Sequence, residues 1–184
     1  MSGEKVRAEL IRGTIVVWDI EGGRELYRSG FYGKPLGISK PKSLDFNAPL
    51  VLDIIEAVYL VEKDKLEVYE EKRKLSFEDL VRRAGQYYEK FEQKYLAYRD
   101  LRDRGFIVTP GIKFGSDFAV YRIGPGLEHA PFIVQVKSID ENISALEMIR
   151  SGRLATTVKK YFTIAIPDVN SQRVAYVLFE WWRA

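Results

Sequence analysis

Cysteine is absent from this 184-residue chain, and histidine occurs once. The lack of cysteine excludes disulfide bonds, thiolate nucleophiles, iron–sulfur clusters and zinc sites built on thiolates. A single histidine excludes mechanisms that need two imidazoles. No apolar run approaches the ~18 residues of a membrane-spanning helix, and the opening segment MSGEKVRAEL carries charges where a secretory signal would be apolar. We therefore expect a soluble protein of the cytoplasm.

The two signs of charge are nearly balanced, with 29 Lys+Arg against 26 Asp+Glu and a formal net charge of +3. This excess is too small to indicate a nucleic-acid partner by itself, because such partners are usually met by a clustered basic face. One local cluster exists. Between Met148 and Pro167 there is no carboxylate, and the cations are Arg150, Arg153, Lys159 and Lys160.

The N-terminal part of the chain predicts short strands and helices. Apolar segments separated by glycine turns predict a small β-meander over residues 5–28. Residues 31–49 are typical of a loop, since proline, glycine and lysine are frequent there. A helix is predicted over residues 50–63 and a strand over residues 65–71.

A long charged helix is predicted over residues 76–104. Ser76 is suited to begin it, because an acid follows three residues later and completes a partial capping box. Gly105 is suited to end it as a C-terminal cap.

The remaining sequence is rich in strands. Strands are predicted at residues 106–115, 116–124 and 129–139, helices at 144–152 and 153–160, and strands at 161–167 and 173–182. We interpret the chain as a mixed α/β fold with a small N-terminal α/β subdomain, residues 1–94. A C-terminal mixed-sheet domain with flanking helices follows, residues 95–184.

Three side chains of the C-terminal part could carry chemistry. His129 follows a Gly-Pro-Gly turn, and an imidazole with an ordinary pKa of about 6.5 exchanges protons near neutrality. Tyr121 ends the preceding strand, and Lys160 ends the segment GRLATTVKK. A base, an acid and a cation suffice for RNA cleavage without metal. The structural alternatives are a merely exposed histidine, a half-buried sheet tyrosine and a lysine beside a helix C-terminus.

A metal-dependent nuclease is an alternative reading of the same region. Asp117 followed by Gln135-Val136-Lys137 resembles an acid…acid-x-Lys pattern, with glutamine in place of the second acid. One carboxylate and one amide hold a hard divalent cation poorly. We therefore expect no metal and no other cofactor.

The C-terminal half resembles the catalytic domain of the tRNA-splicing endonuclease family, from about Tyr95 onward. The segments RDLRDRGF, FGSDFAVY, Gly-Pro-Gly before His129, and RLATTVKK occur in that family's order. GFYGKP and IIEAVYLVEKDKLEV resemble the family's archaeal N-terminal domain more loosely. The resemblance implies the catalytic subunit of an archaeal-type enzyme. Such enzymes excise introns from precursor tRNA at bulge-helix-bulge sites without metal, leaving a 2′,3′-cyclic phosphate and a 5′-OH.

The resemblance also implies roles for individual residues. Tyr121 corresponds to the general base, His129 to the general acid, and Lys160 to the cation that stabilises the transition state. Arg153 falls on a family arginine that stacks on a bulged nucleotide. Trp181 is our choice for the second stacking group, because aromatic and guanidinium planes both stack on unpaired bases.

The second stacking position has alternatives within the sequence. Trp182 and Arg173 could take that position instead. Trp181 could also be a packing residue on the face that it shares with Phe179.

Two departures from the family pattern concern partners. The loop Lys34–Pro49 is longer than the turn in many members. We expect its Lys40 and Lys42 to contact RNA, since the loop looks too polar to join a core. A mobile, solvated loop is the alternative.

The second departure is in the turn at residues 168–172. It keeps only Asp168, where many members carry an acidic loop that docks into a neighbouring subunit. One chain has one triad, whereas intron excision needs two cuts. We therefore expect an assembly of two catalytic and two structural subunits, with a homotetramer as the alternative. For the function of this chain, the alternative is a non-catalytic subunit that positions RNA.

Overall fold

The computed structural model describes residues 5–38, 41, 43–111, 115–157 and 159–179. The chain divides into two compact units, residues 1–89 and 90–184. Each unit has a mixed sheet and helices, so the predicted mixed α/β class is confirmed. The predicted boundary after residue 94 falls inside a helix of the second unit. In the part of the chain described, no helix is both long and apolar enough to cross a membrane.

In the first unit, the part of the chain that the structure describes forms a six-stranded sheet and three helices. Its elements are β1 (Val6–Ile11), β2 (Thr14–Val17), α1 (Ile20–Gly30), β3 (Lys34–Pro35), β4 (Leu50–Leu52), α2 (Ile54–Glu62), β5 (Leu66–Glu70), β6 (Arg73–Lys74) and α3 (Phe77–Ala84). The strand order is β3-β4-β2-β1-β5-β6. β1 and β5 are parallel, and the other neighbours are antiparallel.

Helix α1 replaces the last part of the β-meander predicted over residues 5–28, so that part of the prediction is wrong. Asp19 begins the helix, because its side chain accepts a hydrogen bond of 2.8 Å from the N–H of Gly22. Gly22 and Gly23, which resemble turn residues in the sequence, instead lie on the side of α1 that faces the sheet. A Cβ on Gly23 would come within 3.1 Å of the Cβ of Leu50. The missing side chains therefore let the helix approach the sheet closely.

Helix α2 is shorter than the helix predicted over residues 50–63, because the first three of those residues form β4. The side chain of Asp53 accepts a hydrogen bond of 3.0 Å from the N–H of Ile55. The carboxylate of Glu56 in turn accepts one of 2.9 Å from the N–H of Asp53. Glu56 is buried and also accepts from the N–H of Gly33 at 3.1 Å. This reciprocal capping box sets the start of the helix.

The described residues of the second unit form a five-stranded sheet and two helices. Its elements are α4 (Phe91–Asp103), β7 (Ile107–Pro110), β8 (Phe118–Tyr121), β9 (Phe132–Val136), α5 (Ala145–Thr157), β10 (Tyr161–Asp168) and β11 (Arg173–Phe179). The strand order is β11-β10-β9-β8-β7, and only β9 and β10 are parallel. Helix α5 provides the crossover between them. It is one helix where the sequence predicted two.

The long helix predicted over residues 76–104 is two helices, α3 and α4. Its predicted ends are confirmed. Ser76 and Asp79 form a complete capping box, with the N–H of Asp79 donating to Ser76 Oγ at 3.1 Å. Gly105 follows α4 with a φ of 88°, a left-handed conformation that favours glycine.

The interruption between α3 and α4 coincides with a tertiary contact. The hydroxyl of Tyr88 donates a hydrogen bond of 2.7 Å to the carboxylate of Asp53, which caps α2. Leu80 and Ala84 of α3 are buried in the first unit. A contact of this kind depends on residues far apart in sequence, which is why local patterning missed the break.

Helix α4 packs against the neighbouring strands β7 and β8. The Tyr98 ring lies 5.8 Å from the Phe118 ring of β8. The buried guanidinium of Arg102 donates hydrogen bonds to Tyr98 Oη at 3.0 Å and to the carbonyl of Val108 at 2.8 Å. These contacts fix β7 and β8 against the helix.

A pair of cap variants tests the account of the first unit. Asp53→Ala removes both the α2 cap and the acceptor of the Tyr88 hydroxyl. We expect it to lower the free energy of unfolding by about 2 kcal/mol. Ser76→Ala removes a cap alone and should cost about 1 kcal/mol. Denaturant unfolding of the full chain measures both, and an equal or larger loss for Ser76→Ala would contradict the linkage through Tyr88.

Candidate active site

Three strand ends meet at one end of the second sheet. Val120 of β8 lies opposite Phe132 of β9, and Phe132 lies beside Tyr161 of β10. Tyr121 is the last residue of β8, and Lys160 directly precedes β10. This register therefore places the end of one strand and the beginnings of two others side by side.

Lys160 is tied to the segment that enters β9. Its Nζ donates a hydrogen bond of 2.6 Å to the carbonyl of Ala130, the residue after His129. Next to it, the N–H of Tyr161 donates to the carbonyl of Pro131 at 2.8 Å. The ammonium is partly buried, and burial lowers the pKa of Lys160. The cation is thus held beside the backbone of His129 in a site where its charge is poorly hydrated.

The neighbouring Lys159 has different surroundings. Its side chain is exposed, and its backbone is left-handed with a φ of 54°. Its N–H donates to the carbonyl of Thr156 at 3.1 Å as α5 ends. The two adjacent lysines are therefore a matched pair for experiment, one anchored and one in solvent.

His129 presents an exposed imidazole. Its side chain makes no hydrogen bond to any other residue that the structure describes. A buried histidine with its nitrogens satisfied inside a core is therefore excluded. The ring is accessible to a ligand and takes its position from the backbone on either side.

Tyr121 is half-buried and lies opposite Ile107 of β7. Burial raises the pKa of Tyr121, a side-chain hydrogen bond with Thr109 lowers it, and the negative charge of Glu128 raises it. The phenol is therefore protonated at neutral pH. To act as a base, Tyr121 must therefore lose its phenolic proton during the reaction and not before it.

The proposed stacking residues are only partly within the described chain. Arg153 lies on α5 with an exposed side chain. No carboxylate of the described ranges forms an ion pair with it. Trp181 and its fallback Trp182 lie outside the described residues. The other fallback, Arg173, is exposed at the start of β11, opposite Asp168.

The loop Lys34–Pro49 has a folded base. Lys34 belongs to β3, and the N–H of Leu36 donates to the carbonyl of Pro49 at 2.8 Å. Phe46 is buried with its ring 5.4 Å from that of Tyr27. The expectation that this loop is too polar to join a core is therefore wrong. Lys40 and Lys42 lie outside the described residues.

The residues of the metal-nuclease alternative lie at the opposite strand ends. Asp117 precedes β8, and its carboxylate accepts from the N–H of Val136 at 2.7 Å and pairs with Lys94 at 2.9 Å. Lys137 follows β9 and pairs with Glu141 at 2.9 Å and Glu147 at 2.7 Å. Among the described residues, no three His, Cys, Asp or Glu side chains are arranged to hold a metal ion. Asp117 and Lys137 serve as anchors of the sheet.

Glu128 was not singled out from the sequence. Its carboxylate accepts hydrogen bonds from the N–H groups of Arg122 and Ile123, both at 2.5 Å. These donors directly follow Tyr121, and Glu128 directly precedes His129. The available signal was an acid between a Gly-Pro-Gly turn and the single histidine.

Comparison with known proteins covers both units. Residues 6–81 match the family described as tRNA intron endonuclease, N-terminal domain, and residues 91–176 match tRNA intron endonuclease, catalytic C-terminal domain. A tRNA-splicing endonuclease of Hyperthermus butylicus is 49% identical, over 96% of this chain and 98% of the relative. The tRNA-splicing endonuclease of Saccharolobus solfataricus is 43% identical, over 96% of this chain and 98% of the relative. The tRNA-splicing endonuclease of Sulfurisphaera tokodaii is 41% identical, over 94% of this chain and 97% of the relative.

The anchored lysine can be tested directly. Since burial lowers the pKa of Lys160, we expect its side chain to titrate below the ordinary lysine range. Carbon NMR of lysine-labelled protein measures the titration, and Lys160→Arg identifies the resonance by its loss. A titration at or above the ordinary lysine value would show that the ammonium is well hydrated.

Proposed function

Because this chain belongs to the tRNA-splicing endonuclease family, we propose that it excises introns from precursor tRNA at bulged splice sites. The reaction uses no metal, and the catalytic residues are Tyr121, His129 and Lys160. The observation that carries the proposal is the register of β8, β9 and β10, because it brings the chain segments that contain these residues to one end of the sheet.

The proposed chemistry is an internal transfer at phosphorus. The 2′ oxygen forms a bond to the scissile phosphorus, and the bond from phosphorus to the 5′ oxygen breaks. As Tyr121 accepts the proton of the 2′-OH, its own phenolic proton passes to a non-bridging oxygen of the scissile phosphate, and the imidazolium of His129 donates a proton to the departing 5′ oxygen. The products are a 2′,3′-cyclic phosphate and a 5′-OH. No water is consumed, so the enzyme is of the phosphorus–oxygen lyase type.

Lys160 supplies the charge that this transition state needs. Negative charge grows on the phosphoryl oxygens as the new bond forms, and a preorganised cation stabilises it. The hydrogen bond to Ala130 holds the ammonium beside the backbone of His129. Partial burial strengthens its attraction to the phosphate, because the local dielectric is lower than in water.

We assign the base clamp to Arg153 and Trp181. The Arg153 side chain is exposed and lies on the helix that leads to Lys160. Its planar guanidinium can stack on a base that has left the helix of the RNA.

We further propose an assembly of two catalytic and two structural subunits. The supporting observation is that the carboxylate of Asp168 is engaged in hydrogen bonds within the turn that contains it. Its carboxylate accepts hydrogen bonds from Ser171 Oγ at 2.7 Å and from the N–H of Asn170 at 3.0 Å. As the only acid of that turn, it provides little charge for docking into a neighbour. A homotetramer is the alternative assembly.

Substitution of the triad tests the mechanism. We expect His129→Ala to reduce single-turnover cleavage of a bulged RNA by about 10²–10⁴-fold, with RNA binding little changed. Lys160→Ala should lose a comparable factor, whereas Lys159→Ala, the exposed control, should lose much less. The assay contains a chelator. Full activity of His129→Ala, or a requirement for added Mg²⁺, would exclude the proposed reaction.

Substitution of the clamp tests recognition of the bulge. Arg153→Ala should weaken cleavage by the stacking energy of one base, about 1–3 kcal/mol or roughly 5- to 150-fold. Arg150→Ala is the matched control, since Arg150 is exposed on the same helix. Trp181→Phe should keep more activity than Trp181→Ala, because an aromatic face survives. Normal cleavage by both Trp181 variants would move the assignment to Trp182 or Arg173.

We propose that Lys40 and Lys42 contact RNA phosphates. Changing both to alanine should weaken cleavage most at low salt, since the counterion-release advantage of two cations shrinks as salt rises. Lys72→Ala, an exposed site in the same unit, controls for loss of one surface charge. Deletion of the loop is not a clean test because it would remove the buried Phe46. Equal rates for the double variant and the unaltered protein across salt would assign the loop no RNA contact.

A further inference from the structure

The segment between Tyr121 and His129 is a closed loop. Within it, the N–H groups of Leu127 and Glu128 donate to the carbonyl of Gly124 at 3.2 and 3.1 Å. Gly124 and Gly126 have φ values of 145° and 88°, which glycine adopts without strain. The tip of the loop is therefore a tight turn with its own backbone hydrogen bonds.

The neck of this loop is closed by one carboxylate. Glu128 accepts the N–H groups of Arg122 and Ile123, both at 2.5 Å. The donors follow Tyr121 without a gap, and the acceptor precedes His129 without a gap. The carboxylate thus joins the two chain segments that carry the proposed base and the proposed acid.

We propose that Glu128 is a positioning residue for cleavage: by closing the loop neck, its carboxylate sets where His129 meets the departing 5′ oxygen. This inference rests on the function proposed above. Glu128 holds the N-terminal side of His129, and the hydrogen bond from Lys160 to the carbonyl of Ala130 holds the C-terminal side. The exposed imidazole has no side-chain partner among the described residues, and these two anchors hold the backbone from which it projects.

Glu128 does not serve as the proton donor or acceptor itself. Its hydrogen bonds from the N–H of Ile123, and then of Arg122 and Gly124, lower the pKa of Glu128. The group is therefore a carboxylate at neutral pH, and its Oε1 accepts from two backbone N–H groups. Hydrogen bonds to an ionised acceptor are stronger than those to a neutral one, which suits the group to hold a loop.

Positioning predicts a loss in the chemical step. A displacement of about 1 Å in a reacting group can cost about 10²-fold in rate. We expect Glu128→Ala to lower kcat by about that factor with KM little changed. Glu128→Gln should recover most of the rate, since its amide oxygen can still accept both N–H groups. Ser144→Ala, which removes another side-chain acceptor of a backbone N–H in this unit, should cut normally.

A substrate with a better leaving group separates positioning of the acid from general loss of structure. Sulfur in place of the scissile 5′ oxygen leaves as a thiolate, which needs no proton because thiols have a pKa of about 8.5. We expect this substrate to restore the rates of both His129→Ala and Glu128→Ala toward that of the unaltered protein. Circular dichroism of each variant checks that it is folded.

The outcomes are distinguishable. If His129→Ala is rescued and Glu128→Ala is not, the proposed function stands and the positioning role is overturned. If His129→Ala is not rescued, the assignment of His129 as the acid fails, whatever Glu128 does. If Glu128→Gln is as impaired as Glu128→Ala on the ordinary substrate, the charge of the carboxylate acts directly, and the loop-closing account is wrong.

Discussion

Backbone pairing along one line of the second sheet, from Val120 through Phe132 to Tyr161, is the constraint on which the site depends. Side chains alternate between the faces of a strand, so a slip of one residue would move every group to the other face. The site draws on three strands, and no single one of them contains it. The packing of α4 through the buried Arg102 matters for function for this reason, because it holds the neighbouring strand β7.

Burial shifts the pKa values of two partly buried groups of the site in opposite directions. It raises the pKa of Tyr121 and lowers that of Lys160, since each shift disfavours the charged form. Burial therefore favours the neutral form of both side chains. At the opposite strand ends, Asp117 and Lys137 are paired with charges of the protein itself.

Local signals in the sequence predicted the features that local contacts control. The Ser76 cap and the Gly105 terminus are confirmed, because a cap is a contact between residues a few positions apart. Two of the failures involve distant partners. Gly22 and Gly23 resemble turn residues until the sheet that α1 approaches is known. The break before α4 coincides with a hydrogen bond from Tyr88 to a carboxylate 35 positions away.

By itself, the sequence determined the fold class, the family and the chemical types available: one imidazole, no thiol and a local group of cations. The candidates Tyr121, His129 and Lys160 followed from those types and from the resemblance. Only the tertiary structure decided that strand register brings their segments to one sheet end, and that burial shifts the pKa values of two of them. The contacts of Glu128 were also decided by the tertiary structure. Its hydrogen bonds exist only when the loop is closed, and no pattern of residue types specifies that closure.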